Sequence, residues 1–137
     1  MFTLHEKAVS EYSELMKVLL ARSKHSFSTA SSINVPEKSG VYLVHDNRVN
    51  SIIYVGRTGD LRRRLLGDHK RGNIEGSQFR KALMKHLALG SESEISKYIT
   101  ANCSFQFIPI EDFAKIVRLE HFATAILGPV LNIKLKH

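Results

Sequence analysis

Two tyrosines and a burst of arginines are the residues of this chain best suited to chemistry. Tyr42 lies in "GVYLVHD", residues 40–46, and Tyr54 in "SIIYVGRTGDLRRR", residues 51–64, where Gly56 is followed at once by Arg57 and then by Arg62, Arg63 and Arg64. A cation beside a phenol favours the phenolate, because the opposite charge stabilises the ionised form. Gly56, with no side chain, lets a phosphate come close to the backbone. Whether the two phenols can act together depends on strand register. If facing residues of a hairpin have numbers that sum to an even value, Tyr42 and Tyr54 project from one face; an odd sum separates them. The sequence leaves that register open, and a single strand tyrosine reads equally as half-buried packing.

A carboxylate supplies the second anomaly. "EDFAKIVRLEHFATAILGP", residues 111–129, has helical periodicity, with Phe113, Ile116, Ala123 and Leu127 on one apolar stripe and Glu120 in the middle of it. An unpaired buried charge is costly, so Glu120 needs a cation, a set of hydrogen bonds or a raised pKa. One reading is an ion pair at the helix edge with Lys115, Arg118 or a distant arginine. The other is a metal or general-base site, since a lone carboxylate facing an apolar pocket can hold one Mg²⁺ beside a substrate phosphate.

Charge narrows the partner. The 137-residue chain carries a formal net charge of +7, and residues 57–85 hold nine Lys or Arg against three acids, so nearly all of the excess lies in about one fifth of the sequence. Such a cluster is the electrostatic footprint of phosphate-backbone binding, and equally that of a solvated basic helix face. The length suits a single compact domain. No apolar run approaches the roughly 20 residues that span a bilayer, and the N-terminus turns acidic by its sixth residue, unlike a secretory leader. A soluble, cytoplasmic protein without a membrane partner is expected. The single cysteine, Cys103, excludes an internal disulfide and a thiolate zinc site, and reads as a small buried apolar residue.

The elements that must position these residues alternate irregularly. Residues 4–22 form an amphipathic helix with Ala8, Tyr12, Leu15 and Leu19 on its apolar face, followed by a serine-rich extended connection. "GVYLVHD" and "SIIYVG" are β-type runs joined by "NRVN", an antiparallel hairpin. Thr58 or Asp60 caps a short helix through "LRRRLL", which Gly67 weakens or ends. Ser77 caps a second helix with Phe79, Leu83 and Leu87 buried and Gly90 as its stop; "SESEISKYITAN" is a third. "CSFQFIPI" is a strand, the helix bearing Glu120 closes at Gly128-Pro129, and "VLNIKL" is a final strand or an extended tail. Strands mixed with helices, without regular βαβ alternation, predict an α+β fold.

"GVY" at 40–42, "YVG" at 54–56, Arg64 eight residues beyond Gly56, Glu120 in a late helix and Asn132 in "GPVLNI" together resemble the GIY-YIG nuclease domain. The ordered set, spanning residues 40–133, carries the resemblance; either tripeptide alone is weak. It implies a small three-stranded antiparallel sheet flanked by helices, residues 40–137 forming the nuclease-like domain and residues 1–39 a preceding helix and connection. It implies that Tyr42 deprotonates the attacking water, that Tyr54 positions water or phosphate, and that Arg64 stabilises transition-state charge. Glu120 would be the single metal-binding carboxylate, for Mg²⁺ or Mn²⁺, and Asn132 would support the site from nearby. Many relatives carry a histidine four residues after the arginine; here that position is Asp68 and the histidine is His69, which belongs to the catalytic set only if the helix bends at Gly67.

On that resemblance the chain is a divalent-metal-dependent endonuclease acting on DNA, with RNA as the other candidate substrate. Arg57, Arg62 and Arg63 would lower the tyrosine pKa or, with Gly56, Lys70, Arg71 and Asn132, contact the nucleic acid. One site cuts two strands only through a homodimer or by sequential nicking. The alternatives are a nucleic-acid-binding module of the same fold without turnover, and a phosphate-binding or protein-interaction domain.

Overall fold

The apolar runs around the two tyrosines pair as an antiparallel hairpin. In the computed structural model, which describes residues 1–132, β2 (Gly40–Asp46) faces β3 (Ser51–Thr58) with Tyr42 opposite Gly56 and Val44 opposite Tyr54. The paired numbers sum to 98, an even value, so the two tyrosines share a face. A bulge between Val44 and His45 then shifts the ladder, so that His45 faces Ile52. On the other side of β2 runs β4 (Cys103–Pro109), with Tyr42 opposite Phe107.

The sheet has four strands rather than the three expected. Its order is β1-β4-β2-β3, and β1 is the two-residue pairing of His25 and Ser26 with Phe105 and Ser104. So short a strand has no alternation to read, which is why the serine-rich connection concealed it. β2 is buried along its whole length because both faces of the sheet are covered. The result is the α+β architecture expected: an antiparallel sheet flanked by helices.

One face is covered by α1 (Leu4–Ala21) and α4 (Phe113–Leu127), which pack Tyr12, Met16, Leu19, Ile116 and Leu119 against Leu43 and Val55. Ala8 of the expected stripe is exposed, because residues 1–11 lie beyond the core, and Met16 takes up the burial instead. Phe113 is likewise 72% exposed; the buried stripe of α4 is Ile116, Leu119 and Ala123. The C-terminal end of α1 is tied to the sheet by Gln106, whose Nε2 donates to Leu20 O (2.8 Å) and Arg22 O (2.7 Å) while its Oε1 pairs with His45 Nε2 (2.7 Å).

The opposite face carries the tyrosines. It is covered by the loop after β1, by the helical segment following β3, and by α2 (Gln78–Leu87) and α3 (Glu92–Asn102). Ser77 caps α2 as expected, but the helix stops at left-handed Ala88 rather than at Gly90. Gly128 closes α4 in the left-handed conformation that favours glycine. Beyond it, Leu131 N donates to Ile53 O (3.0 Å), covering the outer edge of β3; residues 133–135, the rest of the expected final strand or extended tail, lie outside the described residues. Cys103 is buried, as expected. Among the described residues no helix is long and apolar enough to cross a membrane.

Candidate active site

Tyr42 is held from below by Gly56. A Cβ at that position would overlap Tyr42 Cζ and Oη, so the glycine makes room for the phenol rather than for an approaching phosphate. Gly56→Ala is therefore expected to force the ring aside at a cost of about 1–3 kcal/mol. Denaturant unfolding of the purified variant checks this, and an unchanged midpoint would mean that the ring is free to shift. The rings of Tyr42 and Tyr54 lie 6.3 Å apart, centroid to centroid, and that of His69 packs edge-on to Tyr54 at 6.0 Å.

His69 reaches this cluster through a change of helix type. After Asp60, whose Oδ1 accepts the Arg63 N–H (3.1 Å), residues Arg63–His69 form a π-helix that passes straight through Gly67. The expected weakening at Gly67 is thus absent. Two turns of an ordinary α-helix after Leu61 would bring Asp68 to the core. The wider π turn takes up one more residue, so His69 points inward at 1% exposure, and Asp68 swings out to pair with Arg64 (3.3 Å). The extra residue between arginine and histidine is absorbed by the helix rather than by a bend. His69 Nε2 then lies 2.6 Å from Tyr42 Oη, and its Nδ1 lies 2.7 Å from Ser77 Oγ.

Burial dominates the electrostatics. It raises the Tyr42 phenol well above its ordinary value of 10.0; Tyr54, Glu120 and Asp68 push the same way, and among the described residues only Arg64 opposes them. Tyr54 is raised too, by burial first, with Arg64 lowering and Glu120 raising it. Arg57, Arg62 and Arg63, expected either to lower the tyrosine pKa or to contact the nucleic acid, do not do the first: among the described residues Arg64 is the cation that favours the phenolates, and desolvation outweighs it. The His69 imidazole is pushed down to about 3 by burial, then by Arg64 and Arg80, and is neutral near pH 7.

That depression has a consequence for stability. An ordinary imidazole, with a value near 6.5, takes up a proton in the unfolded chain that the folded protein refuses. The folded state is thus favoured above that pH and loses this contribution as the pH falls toward 3. Between pH 7 and pH 5 the expected loss is about 2 kcal/mol. Denaturant unfolding at the two pH values measures it; His69→Gln should lack this part of the slope, and equal slopes would refute the assignment.

The cations divide by what they touch. Arg64 Nη1 holds Asp68 while its Nε is buried with no hydrogen-bond partner among the described residues. Arg57 Nη1 meets Glu120 Oε1 at 3.3 Å. Arg62, expected on the nucleic acid, instead directs its guanidinium to Val35 O (2.8 Å), Ser32 O (3.1 Å) and Glu37 (2.6 Å), fastening the loop over the sheet. Lys70 Nζ donates to Ala30 O (3.3 Å); Arg63 and Arg71 are exposed. A crevice of about 310 Å³ beside Arg64 is lined by Thr58, Gly59, Asp60, Arg63 and Asp68.

Glu120 sits at the edge of the apolar stripe, 20% exposed, with His121 Nε2 also 3.5 Å from its Oε1. The distant-arginine reading is what the structure contains, through Arg57. Its Oε2 makes no hydrogen bond or ion pair among the described residues, which leaves one carboxylate oxygen able to take a hard cation. No group of three or more His, Cys, Asp or Glu that could cage a metal occurs among the described residues. The donor set therefore suits a Mg²⁺-type ion held by one carboxylate, water and substrate rather than an all-protein cage. Asn132 is bonded in both directions to Val55, Oδ1 accepting its N–H and Nδ2 donating to its O, both at 2.8 Å, and so fixes β3 between Tyr54 and Gly56.

Residues 38–116, more than half of the chain, match the GIY-YIG catalytic domain family. The chain belongs to the GIY-YIG family. The matched stretch includes both tyrosines and Arg64 and ends four residues before Glu120. Solved structures similar to this GIY-YIG chain include the N-terminal endonuclease domain of UvrC from Thermotoga maritima as a tyrosine-to-phenylalanine mutant bound to its catalytic divalent cation. It shows 20% identity and a TM-score of 0.44 over 73% of this chain and 88% of that one. The same domain bound to magnesium gives 19% identity and a TM-score of 0.43 over 72% and 88%. No curated protein matches the chain.

Two residues around the GIY-YIG tyrosines escaped the sequence. Ser77 was legible as a helix cap, but nothing in its spacing announced that the same oxygen meets His69. Arg80, 0% exposed, donates to His69 O (3.1 Å) and Lys70 O (3.3 Å) and to Glu92 and Ser96, clasping the end of the π-helix. Its position directly after Phe79, on the inward arc of α2, was the only available signal.

Proposed function

We propose that the protein is a divalent-metal-dependent endonuclease that hydrolyses phosphodiester bonds in DNA. The observation that carries this reading is convergence: Tyr42 and Tyr54 share one sheet face, Tyr42 is bonded to His69, and Arg64 and Glu120 both lie close enough to act on the two phenols. Membership of the GIY-YIG family supports the reaction class.

In this scheme Glu120 Oε2 would hold Mg²⁺ or Mn²⁺, which when bound supplies Lewis-acid neutralisation of phosphate charge. Tyr42 takes the proton of the attacking water, and its raised pKa makes its phenolate a strong base once formed. Tyr54 orients the water or the phosphate. The guanidinium of Arg64, whose side chain is partly exposed beside the crevice, offers donors to the charge that grows on the phosphate oxygens. Arg57, Arg63, Lys70 and Arg71 contact the DNA backbone, and Asn132 keeps β3 in place.

Supercoiled plasmid incubated with Mg²⁺ or Mn²⁺, beside EDTA, tests the proposal. Nicked or linear product that appears only with metal is expected. A plasmid that is bound but intact across metals would instead favour a nucleic-acid-binding module without turnover.

A further inference from the structure

The chain Tyr42, His69, Ser77 leaves one hydroxyl hydrogen without an acceptor among the described residues, and the His69 tautomer decides at which end it lies. A neutral imidazole carries one N–H and one bare nitrogen. Ser77 Oγ already accepts the Arg80 N–H (3.0 Å) as the cap of α2, and it is 2.7 Å from His69 Nδ1. If the proton sits on Nδ1, Ser77 Oγ accepts twice, and its own hydrogen is left without an acceptor among the described residues at a position that is 0% exposed. A buried orphan of that kind is costly. If the proton sits on Nε2, Ser77 donates to Nδ1 and Nε2 donates to Tyr42 Oη, so the hydrogen without an acceptor among the described residues moves from Ser77, 0% exposed, to Tyr42, 2% exposed at the candidate site. The hydrogen left over is then the phenol's own, at the end of the chain next to Tyr54 and under the influence of Arg64 and Glu120.

We propose that Ser77 is a positioning residue that fixes His69 as its Nε2–H tautomer, so that His69 donates to the Tyr42 oxygen and turns the phenol hydrogen toward the substrate. His69 is then not the acceptor of the Tyr42 proton. That proton passes to water, the Nε2–H stabilises the phenolate that remains, and the phenolate takes the proton of the attacking water. Arg80 supports the arrangement twice, through its backbone N–H to Ser77 and through its guanidinium to His69 O. The tautomer follows from the resting structure alone; its catalytic consequence rests on the nuclease reading.

Ring-nitrogen NMR of His69 in the folded native protein reads the tautomer without any substrate. A protonated-type signal on Nε2 and a bare-type signal on Nδ1 are expected. Ser77→Gly keeps a tolerated helix cap but removes the hydroxyl; it should move the proton to Nδ1, and Ser77→Thr should restore the native pattern. In plasmid cleavage Ser77→Gly should be slower by roughly 10- to 100-fold, the worth of one hydrogen bond to a charged group. Its activity should also begin at higher pH. A native spectrum with the proton on Nδ1 overturns the proposal, whether or not the variant folds, and so does a Ser77→Gly protein that keeps the native tautomer. Absence of cleavage by the native protein would refute the nuclease reading and leave the tautomer result standing.

Discussion

Glu120→Ala is expected to remove metal-dependent cleavage, lowering the rate by about 10³-fold or more while leaving the fold nearly unchanged. The two halves of this expectation have separate physical grounds. A divalent cation at the scissile phosphate is worth several kcal/mol of transition-state stabilisation, and each tenfold in rate corresponds to about 1.4 kcal/mol. Among the described residues Glu120 is the only carboxylate acting on both phenols, and no neighbouring cluster of ligands stands ready to replace it. Stability should barely respond, because the ion pairs lost, to Arg57 and His121, are partly solvated, and such pairs contribute about 0–1 kcal/mol. Mn²⁺ titration of the folded variant by calorimetry separates loss of the cation from loss of the chemistry. Cleavage that survives Glu120→Ala at native rate would remove the carboxylate from the mechanism.

How much of this site the sequence disclosed depended on whether a residue's role follows from its own position or from the path of another element. Tyr42, Tyr54 and Arg64 keep their spacing within one hairpin and the helix after it, so local order located them. The register of the hairpin could be framed only as a parity, since turn and bulge together set it and the bulge at Val44/His45 leaves no mark in composition. His69 is the opposite case. It stands one residue later than the resemblance places it, and the π turn carries its Nε2 to Tyr42. Hydrophobic periodicity assumes a constant turn and is blind to such a change.

The cations misled for a related reason. Arg62, Arg63 and Arg64 are consecutive, yet the helix sends one to the loop at 32–37, one to solvent and one to the site. Charge counting treats them as a single field. What decides the tyrosine pKa is desolvation by Phe79, His69 and the strands beneath, and no run of arginines predicts that. The stripe of α4 carried a smaller version of this error. Periodicity extended the stripe to Phe113, but burial begins at Ile116, where α4 first meets the sheet, so Glu120 lies at the edge of the core rather than within it.

Tyr42→Phe is the second large effect, and it asks more of the structure because it removes a single atom. The phenylalanine ring fits the space above Gly56, so packing should survive. The cost to folding is the partner that His69 Nε2 loses in a buried site, about 1–3 kcal/mol. Cleavage should fall by about 10²- to 10⁴-fold, the range spanned by a positioned proton acceptor. Tyr54→Phe should lose less, because positioning survives in part through Arg64 and the strand. The pH profile distinguishes a base from a bystander. A phenol raised well above its ordinary pKa is almost wholly protonated at pH 7 and 9, so native cleavage should climb about tenfold per pH unit across that range. In Tyr42→Phe the remaining activity should be flat over the same interval. If the climb persisted in the variant, the titrating base would be another group, and Tyr42 would be left as the ring that holds His69 in place.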